Sequence, residues 1–157
     1  MTTVQAELAQ DTTFDADPET VWQLLVDWER QGDWIPHTRV WHVDGPRLGV
    51  GTRVAARTAI GPLAFVDTMT LTLVDAPHRY EVVHTGRVVK GVGALVVTPD
   101  GERTRVTWWE RVEVPGGPLA RPLWWVAGPL TRLSFRWALR RLRRLVEAQA
   151  PSRPLAS

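Results

Sequence analysis

Between Arg39 and Val114, apolar and polar residues alternate with a period of two, in runs separated by turn-forming residues. Turn signals stand at Asp44-Gly45-Pro46, Gly61-Pro62, Asp75-Ala76-Pro77, Gly86 and Pro99-Asp100-Gly101. They divide the stretch into six predicted strands: Arg39–Asp44, Val50–Ile60, Leu63–Val74, Arg79–Thr85, Arg87–Thr98 and Arg103–Val114. Val4–Phe14 reads as a weaker opening strand. Short connections favour antiparallel neighbours, and strands this long imply a strongly curved sheet.

Helical periodicity flanks this region. Asp17-Pro18-Glu19-Thr20 has the chemistry of a helix start, with Asp17 as N-cap and Pro18 at the first helical position. Val21, Trp22, Leu24 and Leu25 give that short helix an apolar face. A second short helical piece runs from about Trp28 to Gln31, is stopped by Gly32 and is closed by Trp34-Ile35-Pro36. After Pro115-Gly116-Gly117-Pro118 come Trp124 and Trp125, a break at Gly128-Pro129, and one long helix from Pro129 to Ala148. Pro129 suits its first position, where a missing N–H loses nothing. This helix has three faces. Phe135, Ala138, Leu139, Leu142, Leu145 and Val146 form a structural stripe, and Arg132, Arg136, Arg140 and Arg143 a solvated one. Leu130, Leu133 and Trp137 widen the apolar arc beyond what packing on one surface requires.

The order strand, two short helices, six strands, long helix predicts an α+β fold: one bent antiparallel seven-stranded sheet whose concave face holds the terminal helix. Residues 1–150 read as a single domain and 151–157 as a frayed tail.

Composition narrows the chemistry. There is no cysteine, which excludes disulfides, thiolate metal sites and cysteine nucleophiles. The first residues lack a basic-then-apolar leader pattern and no apolar run reaches 18 residues, so a cytoplasmic protein is expected. Net charge is +2, but residues 1–131 carry twelve bases against sixteen acids, while Arg132–Arg144 holds six arginines and no acid. The basic character belongs to the last helix. Nine tryptophans suit either a core or a ligand cavity.

Strand phase singles out polar residues in apolar company. Glu110 shares the inward phase of Val106, Trp108, Val112 and Val114. Asp67 shares that of Phe65, Met69, Leu71 and Leu73, and His84 that of Tyr80 and Val82. The candidate acid–base groups are therefore Glu110, Asp67, His84 and Tyr80, with His42 as a further polar candidate. Trp34, Trp108 and Trp137 are expected as cavity walls, and Leu130, Leu133 and Trp137 as the helix side that looks into the cavity or gates it. Gly91-Val92-Gly93 lacks the third glycine of a dinucleotide loop and is read as close packing against the helix. The four histidines have no metal-ligand spacing, and Ser134 has no nucleophile-elbow context. No metal and no cofactor are expected.

Several motifs carry a resemblance. Asp17-Pro18-Glu19-Thr20-Val21-Trp22, Asp27-Trp28-Glu29 with Trp34-Ile35-Pro36, Gly49-Val50-Gly51-Thr52, Asp75-Ala76-Pro77-His78-Arg79-Tyr80 and the run from Gly101 to Trp108 occur in the order found in the START-like (SRPBCC) helix-grip superfamily. The chain resembles its bacterial polyketide cyclase/dehydrase and lipid-transport branch over nearly its whole length. That resemblance implies a small hydrophobic ligand, aromatic, polyketide-like or lipid-like, held between sheet and terminal helix, or alternatively an aromatase/cyclase acting by proton transfer in the same cavity. Family cyclases grip their chain with tyrosine or arginine donors; this sequence has one tyrosine, Tyr80, and Arg53 and Arg57 fall in the outward phase. No nucleic-acid partner is expected. The basic helix allows a weak membrane-surface contact, and the apolar Leu119–Trp125 region leaves monomer and homodimer both open.

Overall fold

The alternation builds seven strands: β1 (Val4–Phe14), β2 (Thr38–Asp44), β3 (Arg53–Ile60), β4 (Leu63–Asp75), β5 (Arg79–His84), β6 (Gly91–Asp100) and β7 (Arg103–Val114). In this computed structural model, which describes residues 4–114 and 116–149, they form one curved antiparallel sheet in the order β1-β7-β6-β5-β4-β3-β2. Sequential hairpins join β2 through β7. β1 closes the sheet from the other end, with Val4 opposite Val114 and Phe14 opposite Thr104.

Two short helical pieces lie between β1 and β2. Helix α1 (Pro18–Leu25) starts where predicted: the Asp17 carboxylate accepts from the Thr20 backbone N–H at 2.9 Å and from its hydroxyl at 2.7 Å. A 3-10 turn follows over Trp28–Asp33, anchored by Gln31, whose side-chain amide donates to the Leu25 carbonyl at 2.6 Å. Trp22, Trp28 and Trp34 are all fully buried. The Tyr80 ring meets Trp22 and Trp28 edge-on at 6.0 and 5.7 Å.

Helix α2 runs from Ala120 to Gln149, thirty residues, after a 3-10 turn at Gly117–Leu119. The sequence reading placed its start at Pro129, and the structure moves it nine residues upstream. Pro129 lacks only the one N–H that would have bonded the Trp125 carbonyl, and the Thr131 hydroxyl donates to the Ala127 carbonyl at 2.9 Å beside it. Helical winding therefore continues through the proline. Ala138, Leu139, Leu142 and Val146 are buried in the main core with Phe14, Leu71, Val97 and Val106, as the stripe predicted. The upstream half of α2 buries only Ala120 and Gly128.

Two strand starts and one register also differ from the sequence reading. β3 begins at Arg53 because residues 50–52 turn under the Thr52 side chain, whose hydroxyl donates to the Pro46 carbonyl and accepts from the Gly49 N–H. β6 begins at Gly91, where φ is +141°, rather than at Arg87. In β4 the register slips between Leu71 and Leu73, so Val74 rather than Leu73 packs against the core, opposite Tyr80. The expected tail at 151–157 lies outside the described residues.

Candidate functional site

Sheet curvature and α2 enclose a cavity of about 520 Å³. It lies over the central strands. Its walls are mostly apolar: Val40, Val54, Met69, Val82 and Leu95 from the sheet, Trp34 and Ile35 from the short helical region, and Trp124, Leu130 and Phe135 from α2. Trp108 stacks on Phe135 with ring centroids 3.9 Å apart and planes 8° from parallel, and it meets Trp34 edge-on at 5.9 Å.

A polar row crosses the sheet at this level. His84 Nδ1 lies 2.6 Å from Asp67 Oδ2 on β4, and His84 Nε2 lies 3.0 Å from Glu110 Oε2 on β7. The Trp108 indole N–H donates to Glu110 Oε1 at 3.0 Å. Asp67 and His84 are both 7% exposed at the side chain and Glu110 is 12% exposed. Adjacent strands lie about 4.8 Å apart, so β5 and β7 stand roughly twice that distance from each other with β6 between them. Side chains from β5 and β7 can meet only if β6 leaves the space empty. Gly93 pairs with Glu110 and Gly91 with His84. A Cβ at Gly93 would sit 2.8 Å from both Glu110 carboxylate oxygens, and one at Gly91 would sit 2.0 Å from the Arg111 carbonyl oxygen. The glycines thus pack against β7 and its carboxylate, not against the helix as the sequence reading had it.

Burial is the largest influence on His84 and opposes its charge. The hydrogen bonds and charges of Asp67 and Glu110 outweigh it together, lifting the imidazole from 6.5 to about 9. His84 is therefore an imidazolium at neutral pH. Burial pushes the Tyr80 phenol well up, against a hydrogen bond with Gln31, so it stays a neutral hydroxyl. Among the described residues, Trp34 Nε1 and Asp67 Oδ1 are the buried side-chain polar atoms with no protein partner. No group of three or more histidine and carboxylate side chains among the described residues is arranged to hold a metal ion.

Replacing Gly93 with alanine is expected to displace the Glu110 carboxylate. The His84 pKa, followed by NMR titration, should then fall well below 9. An unchanged titration would mean Glu110 does not depend on that gap.

Of the residues singled out by sequence, Trp34, Asp67, Met69, Tyr80, His84, Trp108, Glu110 and Leu130 all line the cavity. His42 does not. It is half-buried near the β2 edge and contacts the Pro46 carbonyl at 3.2 Å, because β2 shifts register just beyond it. Leu133 and Trp137 also lie outside, along a shallow groove with Pro36, His37, Arg136 and Arg140. The helix turns them toward solvent, and Arg141 stacks on Trp137 at 5.3 Å. Phe135, assigned by sequence to structural packing, is instead a cavity wall, as are Trp28, Gln31, Trp124, Thr131 and Ser134. The upstream helix residues were missed because the helix was started too late. Phe135 had a usable signal in its position at the end of the buried stripe nearest the widened apolar arc.

Residues 5–147 match the family described as polyketide cyclase/dehydrase and lipid transport, and the chain belongs to it. Its helix-grip architecture recurs in solved structures. The protein TTHA0849 from Thermus thermophilus is 20% identical, with 93% of this chain and 100% of that one aligned at a TM-score of 0.80. The Zhui aromatase/cyclase from Streptomyces sp. R1128 is 18% identical over 94% and 100% at 0.71. Norcoclaurine synthase from Thalictrum flavum, solved with a transition-state analogue, is 17% identical over 93% and 96% at 0.65. A search of curated protein sequences finds no match. No helix among the described residues is long and apolar enough to cross a membrane.

Proposed function

We propose that this protein binds a small, largely apolar, ring-bearing molecule with at least one hydroxyl or keto oxygen. The observation that carries this reading is the cavity itself: about 520 Å³, apolar over most of its wall, with one polar row to fix orientation. This is the size and make-up of a small-molecule site. The stacked Trp108–Phe135 pair offers a flat wall for a ring. Glu110 is the most accessible member of the polar row and the natural acceptor for a ligand hydroxyl.

The Glu110–His84 contact also supports an alternative, a cyclase or dehydratase in which Glu110 takes a proton from the ligand and His84 holds the carboxylate in place. Holding is favoured over turnover. Both ring nitrogens of His84 already face carboxylates, so a proton taken by Glu110 has no free imidazole nitrogen to pass to. Arg53 and Arg57, which fall in the outward phase of β3, are exposed, and Arg53 pairs with Asp44 at 2.7 Å.

The purified protein is expected to retain a small molecule detectable by native mass spectrometry and released on denaturing extraction. It should also enhance a hydrophobic fluorescent probe, and leave a poly-β-ketone mimic chemically unchanged by chromatography. Absence of both a retained molecule and probe enhancement would sink the binding reading. Formation of a cyclised product that disappears in Glu110→Gln would replace it with the cyclase.

A further inference from the structure

The cavity opens between three segments with a shared character: the β3–β4 hairpin, the β5–β6 connection and the upstream half of α2. Ile60, Val89 and Leu130 each line the cavity, one from each segment. Ile60 and Leu130 are also more than half exposed, which puts them at its opening.

The same three segments carry further apolar side chains that face solvent. Leu63 at the hairpin tip is 75% exposed, Leu119 is 70% exposed and Trp125 is 86% exposed. Val88, Leu123 and Val126 are more than half exposed as well. Isolated exposed leucines need no explanation, but a group of this extent on the segments that form one opening marks an interaction surface.

The charges interleaved with it are all of one sign. Residues 60–66, 86–92 and 116–146 contain no aspartate or glutamate. They contain nine basic residues, Arg87, Lys90, Arg121, Arg132, Arg136, Arg140, Arg141, Arg143 and Arg144, and among the described residues only Arg143 forms an ion pair, with Asp15 and Glu147. Arginines elsewhere do pair, as Arg47 does with Glu29, Arg103 with Asp15 and Arg111 with Glu7.

We infer that this face docks on an anionic lipid bilayer, with the cavity opening turned toward the membrane. Apolar tips inserted at the headgroup boundary, surrounded by unpaired basic side chains, are what an anionic interface binds. The arrangement lets an apolar ligand pass between bilayer and cavity without crossing bulk water. A second copy of the chain is the competing occupant. Leu119, Leu123, Val126, Leu130, Leu133 and Trp137 recur at alternating spacings of four and three, as in a helix–helix seam. Such a seam would leave Leu63 and Val88 uncovered, and it would bring two uncompensated basic helices together. The bilayer satisfies both the apolar and the charged parts of the face.

The test is co-sedimentation of the full chain with phosphatidylcholine vesicles with and without about one-third phosphatidylglycerol. Binding to the anionic vesicles is expected to exceed binding to neutral ones at least about tenfold and to fall steeply with added salt. The double variant Leu63→Ser/Trp125→Ser should lose binding at least about tenfold while keeping its melting temperature and its affinity for a cavity probe, since neither residue lines the cavity. No vesicle binding, equal binding to both compositions, or unchanged binding by the double variant overturns the inference. So does a concentration-dependent dimer, seen by light scattering and abolished by the same variant, in place of vesicle binding.

Discussion

Replacing His84 with glutamine is expected to destabilise the fold by about 3–5 kcal/mol at neutral pH, the usual consequence of removing one partner from a buried charged group. The variant leaves Asp67 and Glu110 inside the protein without the cation they share. A pKa raised from 6.5 to about 9 corresponds to about 3 kcal/mol of preference for the charged imidazole, the same order. The effect has a defined pH dependence. The native state holds this proton more tightly than the unfolded chain. Its contribution is therefore full below pH 6.5 and is lost as pH rises through 9. Urea unfolding of wild type and His84→Gln from pH 6 to pH 10 should show the gap narrowing across that window. A gap that is constant with pH would mean that glutamine merely packs poorly and that the imidazolium is not what the site holds.

Replacing Ser134 with tryptophan is expected to lower affinity for a hydrophobic fluorescent probe by at least about tenfold, or about 1.4 kcal/mol. Ser134 is an exposed α2 residue that nonetheless contributes to the cavity wall, so an indole there lies across the opening. Serine and tryptophan have similar helix propensities, and the site is not in the core, so stability should change by only about 0.5 kcal/mol. Arg144→Trp, exposed and away from the cavity, is the matched control. Equal probe affinity in the two variants would place the probe elsewhere on the surface.

The site was legible where period-two alternation met an anomaly. Asp67, His84 and Glu110 each stood in an apolar phase, and the sheet brings all three into one hydrogen-bonded row. Their adjacency was not legible, because β5 and β7 are not neighbours. Only the strand order with β6 between them, and the two glycines on β6, let them meet. Alternation failed where register slips: in β4 a bulge moved the inward position from Leu73 to Val74, and in β2 one left His42 outside the cavity. From Ala138 to Val146 the buried stripe was read correctly, because packing against the sheet enforces it, whereas Phe135, Leu133 and Trp137 just before it were each assigned to the wrong surroundings. Upstream, treating the proline as a stop hid Trp124 and the first turns of α2. Its widened apolar arc was real, but Leu133 and Trp137 face outward and only Leu130 reaches the cavity.

The pairing of β1 with β7 also governs how the chain reaches this state. Val4 lies opposite Val114 and Phe14 opposite Thr104, so the two strands that close the sheet lie at opposite ends of its sequence. The buried part of α2, from Ala138 to Val146, leaves the ribosome later still. Hairpins from β2 to β7 can form locally, yet the first eleven strand residues wait for nearly the whole domain before they have a partner. Such long-range closure belongs to the slow end of single-domain folding, on the order of milliseconds to seconds. Until it occurs, β7 presents an unpaired edge beside the aromatic wall of an unfinished cavity, the kind of surface on which nascent chains associate.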